Sequence, residues 1–106
     1  LQASDVETLL ALFDDNASIE DPVGTALREG KSALREFYSV ACEGVLSAAL
    51  SGAPRLAGNE VAFPFTVTSG TVGEELTIHI IDVFKFNEAG KVVSMRAFWG
   101  PNNIGS

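Results

Sequence analysis

The sequence predicts an α+β domain in which two helices cover one face of a curved antiparallel sheet. Three observations predict it. Apolar residues in the first part of the chain recur at helical spacing, whereas from about residue 46 onward they alternate with the period of two that strands require. Glycine-bearing turn signals divide that second part into runs spaced like a hairpin meander. The chain has 106 residues of 46% hydrophobic composition, enough for one core and too few for two. Residues 1–106 are therefore expected to form a single domain.

The first helix is predicted over residues 4–15, "SDVETLLALFDD". Ser4 followed by Glu7 makes a capping-box pattern, and Val6, Leu9, Leu10 and Phe13 fall on one helical face. "ASIEDPVG" reads as a short extended piece ended by Pro22 and Gly24. The second helix is predicted over residues 30–44, "GKSALREFYSVACEG", with Leu34, Phe37, Tyr38 and Ala41 on one face and Gly44 at its end. The strands follow as "LSAALSGAPRL", "EVAFPFTVTS", "ELTIHIIDVFKF" and "KVVSMRAFWG". Turns at Gly58-Asn59, around Gly73 and ending at Gly90 separate the later ones. Pro54 and Pro64 predict edge or bulged positions, because a proline cannot donate to a ladder. About four main strands plus a short one, covered by helices, would enclose an apolar cone-shaped cavity.

Composition excludes some functions. A net charge of −7 opposes binding to a nucleic-acid backbone, which needs clustered cations, and opposes an anionic membrane surface. No apolar run has the length of a membrane span. Cys42 is alone, so no intrachain disulfide forms, which fits a reducing, cytoplasmic setting. No Cys/His cluster has metal-ligand spacing, and no glycine-rich phosphate loop is present; no cofactor is expected.

Asp82 is the residue that breaks the pattern. Within "TIHIIDVFKF" one face carries Ile78, Ile80, Asp82, Phe84 and Phe86. An ionised carboxylate buried there without a partner would be so costly that the group takes up its proton instead. A neutral carboxylic acid is a hydrogen-bond donor and could stabilise a developing oxyanion; the structural alternative is a solvent-facing acid or the partner of a buried arginine. Asp21, in "EDPVG", is restricted to extended backbone by the proline that follows. It could be an ionised general base at the mouth of a pocket, or with Glu20 one of two solvated turn acids. His79 alternates to the opposite face and reads as a structural or surface residue. Tyr38 is the only tyrosine and is either a core residue or part of a hydrogen-bond network at the site. Cys42 reads as an inert helical residue, and the aromatic residues of the strands as core first and cavity wall second.

"LFDDNASIEDPVG", "LREFY" and "IDVFKFNEAGKVVSMRAFWG", in that order, strongly resemble bacterial ketosteroid isomerase, of the nuclear-transport-factor-two-like superfamily of cone-shaped α+β domains. The resemblance covers essentially the whole chain. It implies that Asp21 is the general base and that Asp82 is a protonated member of the oxyanion hole. An acid kept neutral by an apolar site is that family's own device, so this assignment comes with the resemblance and not from spacing. The resemblance further implies that Tyr38 supports an oxyanion-hole tyrosine and that Phe65, Met95, Phe98 and Trp99 form the apolar wall around a steroid. It implies a homodimer built on the outer face of the sheet. In the family the oxyanion-hole tyrosine lies on a first helix upstream of the position of Leu1, so the resemblance is to an isomerase lacking that helix, with apolar surface exposed where the helix would pack.

The expected activity is the cofactor-free isomerisation of 3-oxo-Δ5-steroids to their conjugated Δ4 isomers. Two readings of other classes stand beside it, because a fold does not fix a function. One is a binding module for steroids or similar apolar small molecules with little turnover; the other is a scaffold or fragment of the enzyme.

Overall fold

The structure, a computed structural model, describes the backbone of residues 3–105 and the side chains of residues 6–105. Helix α1 (Ala3–Leu10) leads into strand β1 (Phe13–Glu20), and the two-residue strand β2 (Arg28–Glu29) precedes helix α2 (Lys31–Gly44). Then come β3 (Val45–Leu50), β4 (Arg55–Ala57), β5 (Glu60–Thr71), β6 (Glu74–Phe86) and β7 (Val92–Phe98). A 3-10 turn (Pro101–Asn103) and the two-residue β8 (Ile104–Gly105) follow. All the strands join one curved sheet in the order β2-β1-β7-β6-β5-β3, with β4 also pairing β5 and β8 pairing β6. The α+β cone expected from the sequence is the fold.

The first helix is shorter than its pattern predicts. Leu10 is its last residue, and Ala3 is already helical, so Ser4 lies inside the helix; its side chain is outside the described residues. Two lysines close the C-terminal end, where the last carbonyls lack helical donors. Lys31 Nζ donates to Leu10 O at 2.7 Å and Lys91 Nζ to Ala11 O at 2.6 Å. Phe13, placed by its spacing on the helical face, instead opens β1. It is still core, at 2% exposure. The Asp14-Asp15-Asn16 run makes a bulge, with Asn16 N–H donating to Asp14 Oδ1 at 2.9 Å, and the ladder shifts register between Phe13 and Ser18. Ala17 and Ile19 then alternate inward and are fully buried.

The expected short extended piece is thus an interior strand. β1 runs parallel to β7, with Glu20 opposite Arg96, which makes the sheet mixed rather than wholly antiparallel. The β3–β5–β6–β7 part is the predicted antiparallel arrangement. Pro64 sits where the neighbour of β5 changes from β3 to β4. On that side its carbonyl accepts from Ser51 N–H at 3.0 Å, so its missing N–H interrupts no ladder.

The core lies where α1 and α2 cover β1 and β7. Leu10, Phe13, Ile19 and Leu34 are its largest fully buried side chains, and Phe37, Tyr38, Phe84 and Trp99 pack around it. Further along β5 and β6 the inward side chains are only half-buried. There a cavity of about 370 Å³ opens between α2 and the sheet.

Candidate active site

Three pieces of the fold converge on this cavity. β6 and its neighbours form the floor, α2 gives one wall, and the segment following β1 gives the rim. Strand alternation turns Ile78, Ile80 and Asp82 of β6 inward, beside Phe65 and Val67 of β5 and Met95 of β7. From α2, Phe37, Tyr38, Ala41 and Cys42 close the opposite side. The lining is apolar apart from a few groups, among which two carboxyls, Asp21 and Asp82, stand out.

Asp82 lies opposite Phe63 on β5 and Ala97 on β7. It is 7% exposed, a buried acid in an otherwise apolar setting. Its Oδ1 has no hydrogen-bond partner among the described residues. Burial, with the charge of Asp21 adding to it, pushes its pKa up to about 7. A buried oxygen without a donor disfavours the carboxylate and leaves the acid form ready to donate.

The sequence leaves Asp21 either at the mouth of a pocket or among solvated turn acids. The structure places it half-buried on the cavity rim, one residue past the end of β1. Trp99 Nε1–H donates to Asp21 Oδ1 at 2.8 Å. Burial raises the Asp21 pKa; the Trp99 hydrogen bond and then the Arg28 charge act against that rise. The two acids are therefore unequal. Asp21 has a donor and a nearby cation favouring its charge, and Asp82 has neither. Since the pair interacts, its protons come off in steps that belong to both groups, and the surroundings favour charge on Asp21 and the proton on Asp82.

Of the other residues singled out in the sequence, Phe65, Met95 and Trp99 line the cavity. Phe98 does not. It follows Ala97 on β7 and so faces the outer side, 40% exposed, with the Arg96 guanidinium 5.1 Å from its ring centroid. Tyr38 lines the cavity and packs its ring against Phe13 at 5.8 Å and edge-on against Phe37 at 5.1 Å. Burial, with the charges of Asp82 and Asp21 adding to it, drives its pKa up, so it stays a neutral phenol. His79 is on the outer face, with Nδ1 3.4 Å from Thr66 Oγ1. Cys42 proves to be a cavity residue. The contact between Trp99 and Asp21 was not anticipated. Its signal is the indole N–H itself, since the N–H of a tryptophan drawn into the interior usually finds an acceptor. Among the described residues, no group of three or more His, Cys, Asp or Glu side chains could hold a metal ion.

Residues 1–95 match the SnoaL-like domain family. The chain belongs to that family. A steroid Delta-isomerase from Nocardioides simplex is 36% identical over 96 residues, which is 91% of this chain and 77% of that protein. The epoxide hydrolase LasB of Streptomyces lasalocidi is 31% identical over 106 residues, 94% of this chain but 37% of that longer protein. A solved structure of SalBIII, described as an epoxide hydrolase/cyclase-like enzyme in pyran ring formation in the polyether salinomycin, superimposes with a TM-score of 0.88. It is 33% identical and covers 95% of this chain and 82% of that one. These SnoaL-like relatives are enzymes, and they divide between two chemistries.

Proposed function

We propose that this SnoaL-like protein is an acid–base enzyme that isomerises 3-oxo-Δ5-steroids to 3-oxo-Δ4-steroids without a cofactor. The observation that carries the reading is the Asp82 carboxyl: buried, without a donor, and facing the same apolar cavity as a better-stabilised Asp21. Asp21 takes the proton from the carbon between the ketone and the double bond. The electron pair moves into a dienolate, and the ketone oxygen becomes an oxyanion that accepts a hydrogen bond from protonated Asp82. Asp21 then returns the proton to the far end of the dienolate, and the double bond comes into conjugation with the ketone. Trp99 holds the carboxylate in place between the two transfers. Tyr38 is a second neutral hydroxyl on the same cavity. The chemistry needs two acids of opposite charge state at one pH, and the unequal surroundings of Asp21 and Asp82 support that.

The protein works in the cytoplasm as a homodimer through the outer sheet face, where Ile81 and Phe98 are 49% and 40% exposed. No helix among the described residues is long and apolar enough to cross a membrane.

The relatives support a second reading, because the same pair of acids fits epoxide opening. Protonated Asp82 would give its proton to the epoxide oxygen as that C–O bond breaks. Asp21 would take the proton of the water or hydroxyl that forms the new C–O bond. Substrate separates the two. Incubation with a 3-oxo-Δ5-steroid, followed by absorbance of the conjugated enone, should show saturable turnover. Asp21→Asn should reduce it by at least the roughly 10²–10⁴-fold typical of general base catalysis, with steroid binding kept. No enone from the parent, together with opening of an apolar hydroxy-epoxide, would replace the first reading with the second.

A further inference from the structure

The turn that carries Asp21 has to be rigid, since misplacing a reacting group by about 1 Å can cost on the order of 10²-fold in rate. Yet Asp21 lies past the end of the β1 ladder. Backbone contacts hold part of the turn: Val23 N–H donates to Ala97 O at 2.8 Å, and Thr25 donates to Pro22 O through its N–H at 3.1 Å and its hydroxyl at 2.7 Å. One side chain ties the two limbs of the turn together and to β7. Glu20 Oε2 accepts from Gly24 N–H at 3.1 Å, and Glu20 Oε1 accepts from Arg96 Nε at 3.2 Å. Glu20 and Arg96 are register partners in the parallel β1–β7 pair. Arg96 is itself braced over the Phe98 ring. Gly24 takes φ +103°, a backbone state that glycine adopts freely.

We propose that Glu20 is a positioning residue that, by holding Gly24 and Arg96 at once, fixes the turn so that Asp21 stays against Trp99 on the cavity rim. Glu20 and Asp21 are consecutive at the end of an extended strand, where neighbouring side chains point to opposite faces. Asp21 goes to the cavity, and Glu20 works from behind. The Gly24 N–H and then the Arg96 guanidinium hold the Glu20 carboxyl below the usual range, so the contact is present at neutral pH. A purely structural surface ion pair would contribute little and would leave Asp21 where it is. The pair Glu7–Arg35, joined by bonds of 2.9 and 3.0 Å well away from the turn, is such a comparison.

The catalytic meaning of this clamp rests on the proposed isomerase reading, but its placement of Asp21 can be read without substrate. Trp99 is the single tryptophan, so its indole N–H gives one cross-peak in a ¹H–¹⁵N spectrum and reports the bond to Asp21. Glu20→Ala should move that peak toward the position of a free indole and speed its exchange with solvent. Glu20→Gln, which can still accept a hydrogen bond, should lie between, and Arg35→Ala should leave the peak in place. With a 3-oxo-Δ5-steroid, Glu20→Ala should lower kcat by about 10–100-fold with KM within about twofold. Adding Arg96→Met to it should lower kcat little further. An unmoved indole peak in folded Glu20→Ala overturns the proposal whatever the substrate is. A moved peak in a protein whose parent shows no steroid turnover keeps the clamp and removes the isomerase reading. Should Glu20→Ala not fold, Glu20→Gln and Arg96→Met carry the same test, and an unmoved peak in both overturns the proposal.

Discussion

Replacing Asp82 with asparagine should stabilise the protein above neutral pH, relative to the effect of the same substitution in acid. Burial, together with the Asp21 charge, moves the Asp82 pKa from 3.8 to about 7 in the folded protein. In the unfolded chain the group returns to its ordinary value. Between these two limits the native state keeps a proton that the unfolded state has lost, so stability falls as pH rises from about 4 to about 7. Above that window the buried carboxylate is charged and the loss is complete. A displacement of about three pKa units corresponds to roughly 4 kcal/mol at about 1.4 kcal/mol per unit. Water entering the cavity reduces this, so an effect of roughly 2–4 kcal/mol is expected. Asparagine cannot ionise and removes this decline, while Asp21 is present in both proteins and cancels to first order. Urea unfolding of parent and variant at about pH 4.5 and about pH 8 measures the effect as a change in ΔΔG between the two conditions. Stability curves that run parallel across this range would mean that Asp82 is charged in the folded protein at both pH values and that its pKa is not raised by burial.

Asp82→Leu should remain folded, because it replaces an unpartnered buried acid with an apolar side chain, and should keep less steroid turnover than Asp82→Asn, whose amide can still donate. Unfolding of the leucine variant would instead assign Asp82 a structural role. Trp99→Phe removes the donor that holds the Asp21 pKa down, so the acid limb of the kcat/KM–pH profile should move to higher pH; an unchanged limb would exclude Asp21 as the group it reports. Phe98→Ala should leave steroid KM unchanged and weaken self-association measured by light scattering, since Phe98 faces away from the cavity. A raised KM in an undisturbed dimer would return Phe98 to the substrate wall.

Much of this site is legible in the sequence wherever one strand or one helix decides it. The inward set of β6, including the misfit Asp82, follows from alternation alone, and the α2 face that reaches the cavity follows from the spacing of Leu34, Phe37, Tyr38 and Ala41. Phe13 shows why the first boundary is not legible. It continues the helical spacing of Val6, Leu9 and Leu10, yet it also lies in the core as the first residue of a strand, so burial does not separate the two states. The parallel β1–β7 pairing joins segments far apart in sequence, and no local pattern encodes it. The same pairing brings Trp99 to Asp21 and Arg96 to Glu20, which is why neither contact could be read from "EDPVG". Phe98 was assigned to the wall through resemblance. Counting from inward-facing Met95 and Ala97 puts it on the other face.

The proposed reaction needs Asp21 and Asp82 in different charge states within one cavity, and carboxyl ¹³C NMR of the aspartate-labelled protein reads both states. With signals assigned through Asp21→Asn and Asp82→Asn, the Asp82 carboxyl should titrate near pH 7 and the Asp21 carboxyl below it. An Asp82 carboxyl that titrates near its ordinary value of 3.8, or an Asp21 that holds its proton to higher pH than Asp82, would contradict the account.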